Sequence, residues 1–234
     1  MSKILNLILY SDDVYFDMMK TALSRYLEHK GIEHYFYSYD ENMTEEYVIE
    51  RNHLRLKGKE SLVPGVLDKT LKALKIFQDH EYDYILRTNV STIIDFDELY
   101  KHLHNAEDYS GPMHHRMYVG TDPECAYGMT PEKHAKYCNY SWVSGICVLL
   151  SKKAVKMLVS DAEIVMSPEV IDDSALGIYF HERQHLAVRT TLCDWSKVLT
   201  GALAKTDGVM VYRNKSDNRL TDVCRMRTIM KGLM

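Results

Sequence analysis

Three short stretches of this chain hold side chains whose types and spacing could do chemistry. The first is Glu169-Val170-Ile171-Asp172-Asp173-Ser174-Ala175-Leu176-Gly177, with two adjacent carboxylates. At the start of a helix such carboxylates cap free amides and gain from the helix dipole. Aimed into a cleft, one of them can instead serve as a general base, taking the proton of a hydroxyl as that hydroxyl attacks. The second is Tyr82-Asp83-Tyr84-Ile85-Leu86-Arg87-Thr88-Asn89-Val90-Ser91, an apolar run that ends abruptly in polar residues. Strand side chains alternate, so Asn89 and Ser91 can face the same way. Together they suit a diphosphate or its metal ion, or simply begin a turn. The third runs from Trp142 through Val143, Ser144 and Gly145 to Leu150 and Ser151. A glycine inside an apolar strand lets a ligand or another backbone approach closely, or marks a bulge.

These residues need a scaffold, and the hydrophobic pattern supplies one. Lys3 to Tyr10 reads as a buried strand, and Ser11-Asp12-Asp13 can cap the helix after it. That helix should turn Met18, Leu23, Tyr26 and Leu27 inward and stop at Gly31. His34 to Tyr39 reads as a second strand, whereas residues 41 to 62 are charged and give no clear period. Leu67, Leu71 and Leu74 recur at helical spacing between Pro64 and His80, and Tyr82 to Thr88 is a third strand. A short helix is expected from about Asp97 to His104, and the Gly-, Pro- and Tyr-rich stretch from Tyr109 to Tyr140 reads as an active-site loop region. Trp142 to Leu150 reads as one strong strand, Ser151 as the cap of a helix through Val159, and Pro168 to Phe180 as another helix. Leu186 to Leu192 is expected to be a last strand, with an irregular or helical tail from Trp195. This alternation implies a single α/β domain with a mostly parallel sheet and helices on both faces. Ligands of such sheets sit outside the carboxyl ends of the strands, where all three stretches fall.

Composition narrows the function. A length of 234 residues with 46% hydrophobic content suits one domain with a full core. The formal net charge of −4 argues against general nucleic-acid binding, which needs a basic face. No segment reads as a membrane span or a secretory signal. Five cysteines without a Cys-x-x-Cys pair suit reduced thiols, so a soluble, cytoplasmic protein is expected. Oligomeric state is not encoded in any pattern of this kind.

In order and spacing the three stretches resemble the GT-A fold glycosyltransferases, especially the fringe and β-1,3-galactosyltransferase-like group. Small soluble transferases of large algal DNA viruses are similar on weaker grounds. Members of the group show a strand ending in D-x-D, a glycine-containing strand running into a serine-capped helix, then D-D or E-D before a small loop and L-G. The resemblance covers the layout of residues 3 to 190 and implies a single Rossmann-like GT-A domain. Residues 1–105 would form the nucleotide-sugar donor half, and residues 106–234 the acceptor half with its C-terminal tail. It implies a nucleotide-diphosphate sugar, with UDP the first choice, and a glycan or protein-linked acceptor. Tyr10, Ser11, Asp12, Asp40, Arg87, Asn89 and Ser91 would bind the donor, and Trp142, Ser144 and Gly145 the acceptor. Asp173 would be the general base of an inverting displacement, with Asp172 orienting it or binding the sugar. One departure bears on the cofactor. Asn89-Val90-Ser91 stands where the group carries the acidic pair that holds Mn²⁺ or Mg²⁺, and hard cations favour carboxylates. Residues 187 to 234 hold nine Lys or Arg against four Asp. Arg213, Lys215, Arg219 or Arg225 could therefore cover a diphosphate in the metal's place, unless they form a solvated tail. Asn89 and Ser91 are the metal ligands that the resemblance would offer in place of the acidic pair.

His181-Glu182-Arg183-Gln184-His185 competes, since H-E-x-x-H is the zinc-metallopeptidase pattern. Arg183 sits where such helices keep uncharged residues, and no glutamate follows Glu182 to act as a third ligand. A non-catalytic sugar- or nucleotide-binding module is the other alternative, against which the retained Asp172-Asp173 pair argues.

Overall fold

The computed structural model describes residues 2–114, 128–183, 189–190 and 192–234. In chain order its strands and helices begin with β1 (Ile4–Leu9), α1 (Val14–His29), β2 (Glu33–Asp40), β3 (Tyr47–Glu50), β4 (His53–Lys57), α2 (Gly65–Phe77), β5 (Tyr84–Asn89) and β6 (Thr92–Ile94). Then come α3 (Phe96–His102), β7 (Tyr109–Ser110), β8 (Met113–His114), α4 (Pro131–Tyr137), β9 (Trp142–Val143), β10 (Cys147–Ser151) and α5 (Lys152–Ser160). The chain closes with α6 (Ala162–Met166), α7 (Asp172–Glu182), β11 (Arg189–Thr190), β12 (Val198–Thr200), β13 (Val211–Arg213) and α8 (Arg219–Leu233).

The main sheet has eight strands in the order β11-β7-β10-β5-β1-β2-β4-β3 among the described residues. β1, β2, β4 and β5 run parallel, β10 runs antiparallel to β5, and β3 is antiparallel to β4 at the edge. The alternation of side chains along β1 explains the layering. Leu5 and Leu7 enter one core with Leu67, Leu71, Leu74 and Phe77 of α2. Ile4 and Ile8 enter the other with Leu23, Tyr26 and Leu27 of α1. Helices α2, α5, α6 and α7 thus cover one face, and α1, α3 and α8 the other. Asp13 caps α1 through the amides of Tyr15 and Phe16, and Gly31 takes the positive φ of 67° that ends it. Met19 fills the fully buried position on α1, with Met18 only partly buried.

Two expectations need correction, and two open stretches gain a structure. The stretch from Trp142 to Leu150 is two strands, because Ser144 to Ile146 form a turn closed by Cys147 N–H donating to the Ser144 carbonyl at 3.1 Å. The helix expected from Pro168 begins at Asp172. Residues 41 to 62 hold β3 and β4; β3 is largely exposed at the sheet edge, so it shows little alternation of burial. The tail is helical over α8, as one of the two expectations had it, but it is not solvated: β13 pairs with β6 and with β12, and α8 buries Val223, Met226, Ile229 and Met230 against α1. Of the strand expected at Leu186 to Leu192, residues 184–188 and 191 lie outside the described residues, and β11 covers Arg189 and Thr190. Much of the stretch from Tyr109 to Tyr140, residues 115–127, lies outside them too. Among the described residues no helix is long and apolar enough to cross a membrane.

Candidate active site

At the carboxyl ends of β1 and β5 lies a cavity of about 1060 Å³. Its floor is Leu9, Tyr10 and Ser11 after β1 and Arg87, Asn89 and Ser91 at the end of β5. The turn before β10 adds Ser144, Gly145 and Ile146, and the first turn of α7 adds Asp172, Asp173 and Ser174. β10 is antiparallel to β5 and pairs Cys147 with Thr88, so the turn preceding it lands beside the end of β5.

One peptide unit, that of Gly145, ties the three sequence motifs together. Its carbonyl accepts from the Arg87 guanidinium and from Asn89 Nδ2 (3.3 Å), and its N–H donates to Asp173 Oδ2 at 3.1 Å. A Cβ at this position would lie 3.1 Å from Arg87 Nη1, a tight approach that would crowd the guanidinium, and in ordinary contact with Asp173 at 3.4 Å. Arg87 also donates to Asp172 Oδ2 at 2.5 Å, and both side chains are buried. Burial opposes the charge of Arg87, but the neighbouring Asp172 and Tyr37 outweigh it, and its pKa is raised.

Asp173 differs from its neighbour. Its side chain is partly open to the cavity and takes Gly145 N–H on one oxygen and Ser174 N–H (2.8 Å) on the other. Burial, and then the charge of Asp172, push its pKa up to about 6, while those two amides and Arg87 limit the rise. A carboxylate poised near neutrality and facing a cavity is equipped to accept a proton.

Ser91 belongs to a different neighbourhood. Register pairs Arg213 of β13 with Thr92, and Arg213 Nη1 donates to Ser91 Oγ at 2.5 Å and to Thr92 Oγ1 at 3.2 Å. Lys215 and Arg219 line the same cavity. The two-residue step from Asn89 to Ser91 therefore separates a carboxylate wall from a cationic wall. A divalent cation fits this donor set poorly. The Ser91 hydroxyl already accepts from a guanidinium, Asn89 turns its NH₂ group to Gly145, and both nearby carboxylates are engaged on the other wall. Among the described residues no group of three or more His, Cys, Asp or Glu could hold a metal ion.

Over 97% of its length the chain superposes on the crystal structure of a glycosyltransferase involved in the glycosylation of the major capsid of PBCV-1, covering 100% of that chain with a TM-score of 0.50 and 11% identity. The chain has a glycosyltransferase fold. No protein-family model and no curated protein sequence matches it.

Within this glycosyltransferase fold, eight of the sequence-derived residues meet in one cavity besides the two aspartates: Tyr10, Ser11, Arg87, Asn89, Ser91, Trp142, Ser144 and Gly145 all line it. Tyr10 is 2% exposed, its ring edge-on to Phe36 and His53 and its hydroxyl bonded to Asp17. Trp142 stacks on His114, which also lines the cavity. Asp12 and Asp40 do not line it: Asp12 is exposed, and Asp40 faces Arg55 at 3.8 Å. Arg225 lines a separate surface hollow with Leu203 and Cys224. Phe16, Leu62, Val66 and Met129 line the cavity without having carried any sequence signal, because isolated apolar residues scattered along the chain look like core. In the competing H-E-x-x-H motif, α7 ends at Glu182 with Arg183 as its C-cap, so the helix stops short of the second histidine. His181 stacks on Tyr140 at 3.8 Å, and His185 lies outside the described residues.

Proposed function

We propose that the protein transfers a sugar from a nucleotide-diphosphate donor, with a UDP-sugar the first to try, to a hydroxyl of a glycan or protein-linked acceptor. The observation that carries this reading is Asp173: a partly open carboxylate with its pKa raised to about 6, in the cavity that gathers the three motifs. Its two oxygens are oriented by backbone amides from different segments, so it is fixed in place without being neutralised by a cation. The step is a single displacement with inversion, in the manner of the fringe-like group. Asp173 takes the acceptor's proton as the hydroxyl oxygen bonds to the anomeric carbon. The bond from that carbon to the diphosphate breaks, and the diphosphate leaves with the electron pair. A base on the face away from the leaving group is what inversion needs.

Asp172 acts through Arg87. The buried pair fixes the Gly145 carbonyl, and through that peptide the amide that holds Asp173. Trp142, Ser144 and Gly145 border the acceptor, and Trp142 with His114 offers a flat aromatic surface to a sugar ring. Tyr10, Ser11, Asn89 and Ser91 receive the donor. Asp12 and Asp40, outside the cavity lining, have no part in this scheme. The test is a thermal-shift screen of nucleoside diphosphates and their sugars, followed by assay of the hits for released sugar. A specific donor that stabilises the protein and is turned over supports the reading. A donor that binds but is not turned over with any acceptor or with water would point to a non-catalytic module instead.

A further inference from the structure

The cationic wall calls for an occupant. Arg213 sits at the end of β13, where its side chain donates to the Ser91 and Thr92 hydroxyls, and Lys215 follows it in the loop to α8. Among the described residues neither forms an ion pair. Burial, and then the charges of Arg87 and Arg219, lower the Arg213 pKa to about 10. Burial and the neighbouring Arg213 and Arg219 likewise lower that of Lys215. Arg219, the first residue of α8, is braced by Asp222 at 3.3 Å and lies over the Phe16 ring. Asp222 is fully buried and also accepts from the Ser216 amide (2.9 Å) and hydroxyl (2.8 Å), so the loop carrying the cations is built rather than loose. The Asn214 amide donates to the Ser91 carbonyl at 2.9 Å and pins the same loop to the end of β5. Holding three like charges at one partly desolvated cavity costs free energy that a polyanion would recover.

Resting on the transferase reading, we propose that Arg213, Lys215 and Arg219 together neutralise the donor's diphosphate, doing the work of a divalent cation, so that binding and transfer proceed in the presence of a chelator. As the glycosidic bond breaks, the charge gathering on the leaving diphosphate meets fixed guanidinium and ammonium groups, and no metal ligand is needed from Asn89 or Ser91. The misfit of a cation at Ser91 then has a cause, since the hydroxyl there serves to aim Arg213.

Calorimetric titration of the full chain with inorganic pyrophosphate and with UDP, GDP, ADP and CDP tests this, first in EDTA and then with excess Mn²⁺ or Mg²⁺. At least one nucleoside diphosphate is expected to bind in EDTA, with added metal tightening it less than about twofold. Arg213→Ala and Lys215→Ala should each weaken that binding roughly ten- to a hundredfold, the range for losing a hydrogen bond to a charged group. Neither should alter binding of the matching nucleoside, which a general structural defect would disturb. Should Arg213→Ala fail to fold, Lys215→Ala, in a loop outside any strand, carries the test. Binding that appears only with metal, or that survives both substitutions in EDTA, overturns the cation proposal and leaves the transferase reading standing. If no nucleoside diphosphate binds under any condition, both fall together.

Discussion

The two walls of the cavity handle charge in opposite ways. On one, Arg87 and Asp172 are buried and matched at 2.5 Å, and Asp173 is oriented by backbone amides. On the other, Arg213 donates to two neutral hydroxyls, and it and Lys215 lie beside the further positive charge of Arg219, with no ion pair of their own among the described residues. A matched buried pair is scaffold, whereas unmatched charges held in a cavity await a ligand. Both walls touch the same short segment, Asn89 to Ser91, which joins the carboxylate side of the cavity to the cationic side.

The strongest way to break this contrast is at the matched pair. Arg87→Met strands Asp172 without its partner, and chemical denaturation should show a loss of about 3–5 kcal/mol. A loss below about 1 kcal/mol would mean that the pair is not scaffold. Asp173→Asn comes next. It should lower kcat roughly 10²-fold with donor affinity nearly unchanged, and an unchanged rate would remove it as the base. Its pKa sharpens the point. The proton acceptor must be ionised, so kcat/KM of the native protein should fall as pH drops through about 6. Stability runs the other way. Because the folded state raises this pKa, its contribution is full at low pH and is lost as pH rises through about 6. Asp173→Asn should therefore stabilise the protein at pH 8, by an amount on the order of 1–3 kcal/mol, with the gain shrinking towards low pH. Thermal unfolding at several pH values reads this directly.

A smaller effect is expected where α7 meets β9. A Cβ on Gly177 would lie 2.2 Å from Trp142 Cβ, so Gly177→Ala should cost about 1–3 kcal/mol and displace the aromatic surface, raising KM for acceptor more than for donor. The smallest effect serves as the control for the first. Arg55 and Glu50 are also ion-paired, but in solvent, and Glu50→Gln should change stability by less than about 1 kcal/mol.

Much of this arrangement was legible in the sequence because it is written in regular periods. β1 and β5 are apolar runs, α1 and α2 carry apolar stripes, and the motifs at the strand ends converge on one cavity. What escaped reading depends on partners far away in the chain. β12 and β13 are three residues each, too short for any period to show, and exist because β6 offers an edge to β13, and β13 one to β12. Arg213 read equally as cover for a diphosphate or as part of a solvated tail, and it is the pairing with Thr92, well over a hundred positions earlier, that turns it into the cavity. The break at Ser144 to Ile146 was hidden because Val-Ser-Gly-Ile-Cys reads as one apolar run, while the demand on the Gly145 carbonyl comes from Arg87 and Asn89.

The position of β13 and α8 along the chain also sets an order of events during synthesis. A growing chain has made β1, β5, α7 and the Asp172-Asp173 pair well before Arg213 and Lys215 leave the ribosome. Until β13 docks against β6, Ser91 has no guanidinium beside it and α1 lacks the cover of α8. The cationic wall of the cavity is thus completed last, in the same step that closes the second core, so a half-made chain would carry the carboxylate wall without its cationic counterpart.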